Sequence, residues 1–178
     1  MDRTLEELRA YLKENLTLRR FLHCEGVEKT SRLLAEKFEA DSLLCAFAGL
    51  GHDLCREREN NELEKLTGKR HSYPVLLHGE AGALVLERHF GVSDPSVLAA
   101  VRHHISGGPG LDKVGKIVFA ADYLEEGRTH LNDLERERLF SLDLDDMVLS
   151  IAGLIRKHLE VKKIPPEPAL LQMIEELS

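Results

Sequence analysis

His52 and Asp53 stand side by side at the end of an apolar helical run, in AFAGLGHDLCRE. The pair offers an imidazole nitrogen and a carboxylate from one point of the backbone, and both suit a first-row divalent metal. His23, His78, His103, His104 and Asp122 are further potential ligands at wide spacings around it. A set so widely spaced works only if the fold brings distant elements to one point.

Those elements read as helices, because nearly every segment has an apolar period near 3.6. Leu5, Leu8, Leu12 and Leu16 form one stripe in an N-terminal amphipathic helix. Thr17 is positioned to cap a second helix, roughly 18–38. Asp41 starts a third, SLLCAFAGLGHDL, which is apolar almost all round and so is expected at the centre of the core. The stretch 56–73 reads as surface helix and loop. Pro74 opens a helix that Gly91 ends, and Ser93-Asp94-Pro95 opens another that stops at Gly107-Gly108-Pro109-Gly110. A helix from Leu111 to Glu125, a polar region at 127–138, a helix at 143–160 and a terminal helix after Ile164-Pro165-Pro166 complete the chain. No alternation of period 2 is present. The expected fold is all-α, with one domain over 1–178, a metal-binding core at about 18–126 and C-terminal helices at about 143–178.

Composition bounds the partners. At 43% hydrophobic and 31% charged, the chain is globular rather than disordered. Its net charge of −7 and its lack of Trp disfavour a nucleic acid polymer as ligand. They leave room for a small anion, since divalent cations in a cleft reverse the local field. Cys24, Cys45 and Cys55 form no CxxC pair and read as reduced, buried, cytoplasmic thiols. The N-terminal stretch reads as a mixed-charge amphipathic helix rather than a signal peptide, and no apolar run is long enough to cross a bilayer. His71, His89, His130 and His158 lie in polar contexts and read as surface residues.

Helical phase tests the ligand set. His23 falls on one face with Val27, Thr30 and Leu34; His78 with Val75, Gly82 and Val85; His104 with Val97 and Val101; Asp122 with Leu111, Gly115 and Val118. Each polar group therefore points to the core. One histidine on an apolar face is more often a hydrogen-bonded core residue. Four histidines and two aspartates buried together need a compensating charge, which a metal supplies. His103 and His104 lie about 100° apart on a helix, so only one faces inward. His104 follows the apolar stripe and is the expected ligand; His103 is kept as a substrate contact. His23, His52, Asp53 and Asp122 make one four-ligand site, and His78 and His104 exceed what a single ion needs. Asp53 has two oxygens and can bridge a pair of ions. The mixed ligands suit Fe, Mn, Zn or Ni better than Mg.

In RRFLHCEGV around His23, GHDLCRE, LLHGEAGALVLE around His78, AVRHHISGGPG, KIVFAADYLEEGR and SLDLDD, the chain resembles the HD-domain superfamily of metal-dependent phosphohydrolases. The superfamily pattern H…HD…D falls on His23, His52-Asp53 and Asp122. The closer resemblance, over most of residues 20–150, is to the YqeK-type branch of bacterial symmetrical bis(5'-nucleosyl)-tetraphosphatases. It implies an all-helical HD fold with a two-metal centre, usually di-iron, held by His23, His52, Asp53, His78, His104 and Asp122. Arg56 and Arg128 match basic residues of the family, and both suit phosphate oxygens. The Gly-rich loop 107–110 reads first as a plain helix stop, the alternative being a close approach of the polyphosphate or a base at Gly107. Departures lie at His103, where an aromatic is common, at Ile105, at Gly107-Gly108-Pro109, and at Gly79-Glu80, where Ala-Pro is frequent. They bear on substrate contacts, not on the ligands.

The reaction this implies is hydrolysis of diadenosine tetraphosphate to two ADP by a hydroxide held on the metals. Asp53, His103 and Arg56 are the expected catalytic group, and Arg56, His103, Gly107 and Arg128 the substrate contacts. The partners implied are a small nucleotide and no membrane, and a homodimer is compatible with the resemblance. The rival readings are a nucleotidase or other one-metal HD phosphohydrolase, and a silent nucleotide-sensing metal module.

Overall fold

A computed structural model describes residues 2–129 and 131–178, so the surface position expected for His130 lies outside the described residues. Among the described residues there are ten α-helices and no strand. Among the described residues no helix is long and apolar enough to cross a membrane.

α1 (Asp2–Asn15) buries the stripe of Leu5, Leu8 and Leu12. Thr17 caps α2 (Leu18–Lys37) by accepting from the Arg20 N–H at 3.4 Å, and Glu57 holds the cap in turn, accepting from the Thr17 hydroxyl at 2.7 Å. Asp41 caps α3 (Ser42–Gly51) through the N–H groups of Leu43 and Leu44. Every residue from Cys45 to Gly51 is buried. α3 is therefore the central helix that its all-round apolar sequence predicts, and the large side chains of Phe47 and Leu50 each contribute roughly 1.5–3 kcal/mol by leaving water.

α4 (Asn60–Thr67) ends at Gly68, whose φ of +67° suits a residue without Cβ. Pro74–Leu77 form a 3-10 turn, and α5 (His78–Phe90) follows to Gly91. α6 (Pro95–His103) is capped by Asp94, α7 (Lys113–Leu124) by Asp112, and α8 (Asp133–Ser141) by Asn132. α9 (Leu144–Val161) and α10 (Pro168–Leu177) close the chain. α2, α6 and α7 pack around α3, α5 lies on α6, and α9 covers α7.

The structure corrects three expected boundaries. Pro74 opens a 3-10 turn rather than the helix itself, so the α-helix starts four residues later, at His78. α6 stops at His103 rather than at the glycines, with the Gly107 N–H closing on the His103 carbonyl at 2.7 Å. The polar region at 127–138 contains the start of α8, which has only Leu139 buried and so lacks an apolar stripe.

One close approach sets the spacing of two site residues. A Cβ on Gly79 would lie 2.7 Å from the Arg102 carbonyl oxygen and 3.0 Å from that of Val101. The first turn of α5 thus lies directly against the last turn of α6, bringing His78 and His104 side by side.

Candidate metal centre

His52, His78 and His104 each sit where a helical segment ends. His52 follows the last residue of α3, His104 follows that of α6, and His78 closes the 3-10 turn. Helix ends leave carbonyls open to side chains. Each ring uses one three residues back: His52 Nδ1 donates to the Gly49 oxygen at 2.7 Å, His78 Nδ1 to Val75, and His104 Nδ1 to Val101 at 2.8 Å. His23 lies inside α2, where carbonyls are taken up by the helix. Its Nδ1 donates instead to Glu125 Oε1 at 3.0 Å. A carbonyl or carboxylate cannot donate, so all four rings carry the proton on Nδ1. In its neutral form each ring then offers the Nε2 lone pair to the centre.

These nitrogens converge. His23 Nε2 is 3.2 Å from His52 Nε2, and His78 Nε2 is 3.1 Å from His104 Nε2. Asp53 lies between the two pairs. Its Oδ2 is 3.4 Å from His52 Nε2 and 3.6 Å from His23 Nε2, and its Oδ1 is 3.0 Å from His78 Nε2 and 3.4 Å from His104 Nε2. Asp122 Oδ1 joins the first group, 3.0 Å from His23 Nε2 and 3.7 Å from His52 Nε2. Two trios, His23–His52–Asp122 and His52–Asp53–His104, place ligand atoms within 4.8 Å of one another.

The spacing fits metal ligation. Two donors about 2.1 Å from one ion lie about 3.0 Å apart at a right angle and about 3.4 Å apart at a tetrahedral angle. Facing neutral imidazole lone pairs at such distances repel, and only a proton or a cation between them makes the arrangement favourable. The donor set therefore fits divalent metal, with one Asp53 oxygen directed to each histidine pair.

Without metal the charges lean on one another. Burial pushes the Asp53 carboxyl up, but His52, His104 and His78 outweigh it and hold the group well below the usual range. Burial acts the same way on Asp122, where His23, His52 and Arg128 prevail and lower it. Burial lowers His23 and His104, yet Asp122 and Glu125 raise the first and Asp53 the second, so both end above their ordinary value. His78 ends below, because burial outweighs Asp53 and His104 adds to it. Two guanidiniums also stand at the carboxylates: Arg20 Nη1 is 2.5 Å from Asp53 Oδ2, and Arg128 Nη2 bonds Asp122 Oδ1.

Two clefts reach this centre. One, of about 570 Å³, is lined by His104, Asp122 and Arg128 and by the apolar side chains of Ile105, Phe119, Leu154, Ile155 and Val161. The other, of about 620 Å³, is lined by Leu18, Arg19, Arg20, Leu22, His23 and Gly26 of α2 and by the segment Glu125 to Arg128, including Glu126. Arg128 forms part of both walls.

Not every expected site residue comes to the centre. His103 is half-buried, with its ring against Gly108 (a Cβ there would lie 3.1 Å from His103 Nδ1), and it lines neither cleft. Burial, then Arg102, lowers its pKa. Arg56 is half-buried one turn beyond Asp53 and also lines neither cleft. Gly107 has φ +64°, and a Cβ there would strike the Met173 side chain, so the glycine serves the turn and the packing of α10. Arg20 and Glu125 were not expected. Their signal is positional: Arg20 precedes His23 by three residues and shares its helix face, and Glu125 follows Asp122 by three. His158, read as a surface residue, is exposed but lines the apolar cleft.

Comparison with known proteins places this geometry. A family model for the HD domain matches residues 20–127. A symmetrical bis(5'-nucleosyl)-tetraphosphatase of Bacillus subtilis (strain 168) is 34% identical over 152 residues, covering 81% of this chain and 81% of the relative. A protein of the same name from Staphylococcus aureus is 31% identical over 132 residues, covering 70% and 68%. The crystal structure of an HD-superfamily hydrolase from Clostridium acetobutylicum, described as involved in NAD metabolism, superposes with a TM-score of 0.89 at 25% identity, over 97% of this chain and 95% of that one.

Proposed function

The chain belongs to the HD-domain family, in the branch of the symmetrical bis(5'-nucleosyl)-tetraphosphatases, and from that footing we propose that it hydrolyses diadenosine tetraphosphate and related dinucleoside tetraphosphates to two nucleoside diphosphates. The observation that carries this for the chain itself is the Asp53 carboxylate, whose two oxygens each face a different pair of imidazole nitrogens at 3.0–3.6 Å.

HD domains bind divalent metal, and this chain has the donors for it. We take two ions as the working number, with His23, His52, Asp122 and Asp53 Oδ2 as one ligand set and His78, His104 and Asp53 Oδ1 as the other. Iron is the expected metal, and Mn, Zn and Ni suit the same donors. Bound there, the ions lower the pKa of water and neutralise phosphate charge.

The protein's own groups do the rest. Glu125 and three backbone carbonyls keep each imidazole in the tautomer that leaves Nε2 free. Arg20 and Arg128 bond the ligand carboxylates here. They stand at the mouths of the clefts, where guanidinium can turn to the phosphate oxygens of a bound substrate. The apolar cleft takes a nucleobase. His103 and Arg56 are retained as outlying contacts for a long substrate. The three cysteines are free and buried, and burial pushes Cys45 up to about 12 and Cys55 to about 11. Such inert thiols support an address in the cytoplasm.

The test is product analysis. Metal-loaded protein incubated with diadenosine tetraphosphate yields two ADP. ATP plus AMP, or an intact substrate at full metal content, contradicts the reading.

A further inference from the structure

We propose that the cleft along α2 is a second nucleoside subsite, so that a chemically symmetrical substrate binds with its two nucleosides in two unlike clefts on either side of Arg128. This rests on the function proposed above. His23 lines the α2 cleft, while Asp122 and His104 line the apolar one. His23 Nε2 and Asp122 Oδ1 are 3.0 Å apart, so the two clefts meet at the metal centre. A phosphate chain lying across that centre carries one nucleoside to each side. The volumes, about 570 and about 620 Å³, are each in the range of a small-molecule pocket.

The walls differ in kind. Phe119, Leu154 and Ile155 give the first cleft a largely apolar wall. The α2 cleft presents Leu18 and Leu22, which are 72% and 55% exposed although both are large and apolar. They stand four residues apart and so share one helix face. Arg19 lies between them in sequence, exposed and without an ion pair among the described residues. Two leucines for the flat face of a base and a free guanidinium for the adjoining phosphate form a nucleoside phosphate site. Glu125, bonded to His23 and to the Gly127 N–H, forms the inner end. Gly26 leaves room for that carboxylate, since a Cβ there would lie 2.7 Å from Glu125 Oε2.

The test pairs L18A/L22A with two substrates and one product. Both leucines are exposed, so the variant keeps its fold. Metal-loaded wild type binds two ADP per chain in calorimetry, and the variant binds one. The variant raises KM for diadenosine tetraphosphate about ten-fold, with a smaller effect on kcat. Its KM for adenosine 5'-tetraphosphate changes by about two-fold at most, because a single nucleoside can use the other cleft. Wild type that cleaves diadenosine tetraphosphate but binds one ADP overturns the subsite and leaves the function standing. Equal effects on the two substrates, or none on either, do the same. Wild type that leaves diadenosine tetraphosphate intact overturns the function itself.

Discussion

Asp53 and Glu125 act at different distances from the metal, and single substitutions separate them. Asp53→Asn removes negative charge facing both histidine pairs at once. It is expected to lower turnover by more than about 100-fold and to lose metal, measured by metal analysis beside the assay. Glu125→Gln keeps an acceptor for His23 Nδ1 but loses the carboxylate charge. Metal affinity falls about 10- to 100-fold, and activity returns when metal is added in excess. An unchanged metal titration would remove Glu125 from the site. The direction of pH dependence follows from His23 and His104, which lie above their ordinary value of 6.5 in the metal-free protein. A raised imidazole stabilises the fold below its unfolded pKa, and that contribution is lost as pH rises through the folded pKa. Metal needs the same rings neutral. The thermal stabilisation given by added metal is therefore larger at about pH 8 than at about pH 6, as thermal melts at fixed free metal report. His78, which is lowered, acts in the opposite sense and reduces the difference without cancelling two rings.

At the scale of elements, the site is built where helical segments end. His52, His78 and His104 use carbonyls that such ends leave open, and His23, inside α2, needs Glu125. The inward phase of His23, His78, His104 and Asp122 was legible in the sequence, because an apolar helix face is a periodic signal. So were the caps at Thr17, Asp41 and Asp94. Arg20 and Glu125 were not, since a charged residue on a helix usually marks a solvated face. α8 was missed because its one buried side chain, Leu139, makes no period, although Asn132 offered a capping signal. The clefts were equally hidden: one wall of the apolar cleft comes from Leu154 and Ile155 of α9, more than thirty residues along the chain from Asp122. Gly79 tests whether helix spacing sets ligand spacing. Gly79→Ala forces α5 away from the carbonyls of α6 and is expected to cost about 1–3 kcal/mol. Binding at the His78–His104 pair weakens more than at the His23–His52 pair, read from stepwise metal titration. Equal weakening of both would show that the approach of α5 and α6 does not position the pair.

At the scale of the whole molecule, an acidic chain of net charge −7 carries its cations where the substrate is needed, with Arg19, Arg20 and Arg128 at one pair of clefts. Metal is expected to hold the helices together as well as serve the reaction, because its ligands come from α2, α5, α7 and the ends of α3 and α6. Free metal at 100 times its Kd stabilises the folded state by about 2.7 kcal/mol. Chelation should therefore lower Tm by roughly 5–10 °C for a chain of this size, in a calorimetric scan. The central claim is the paired-ion centre with Asp53 between the two histidine pairs. Its most direct test is metal content and cleavage of diadenosine tetraphosphate measured on the same sample, across a series of partial metal loadings. The account predicts two ions per chain at full activity, with two ADP as products and little turnover at one ion. Full turnover with a single ion per chain would contradict it.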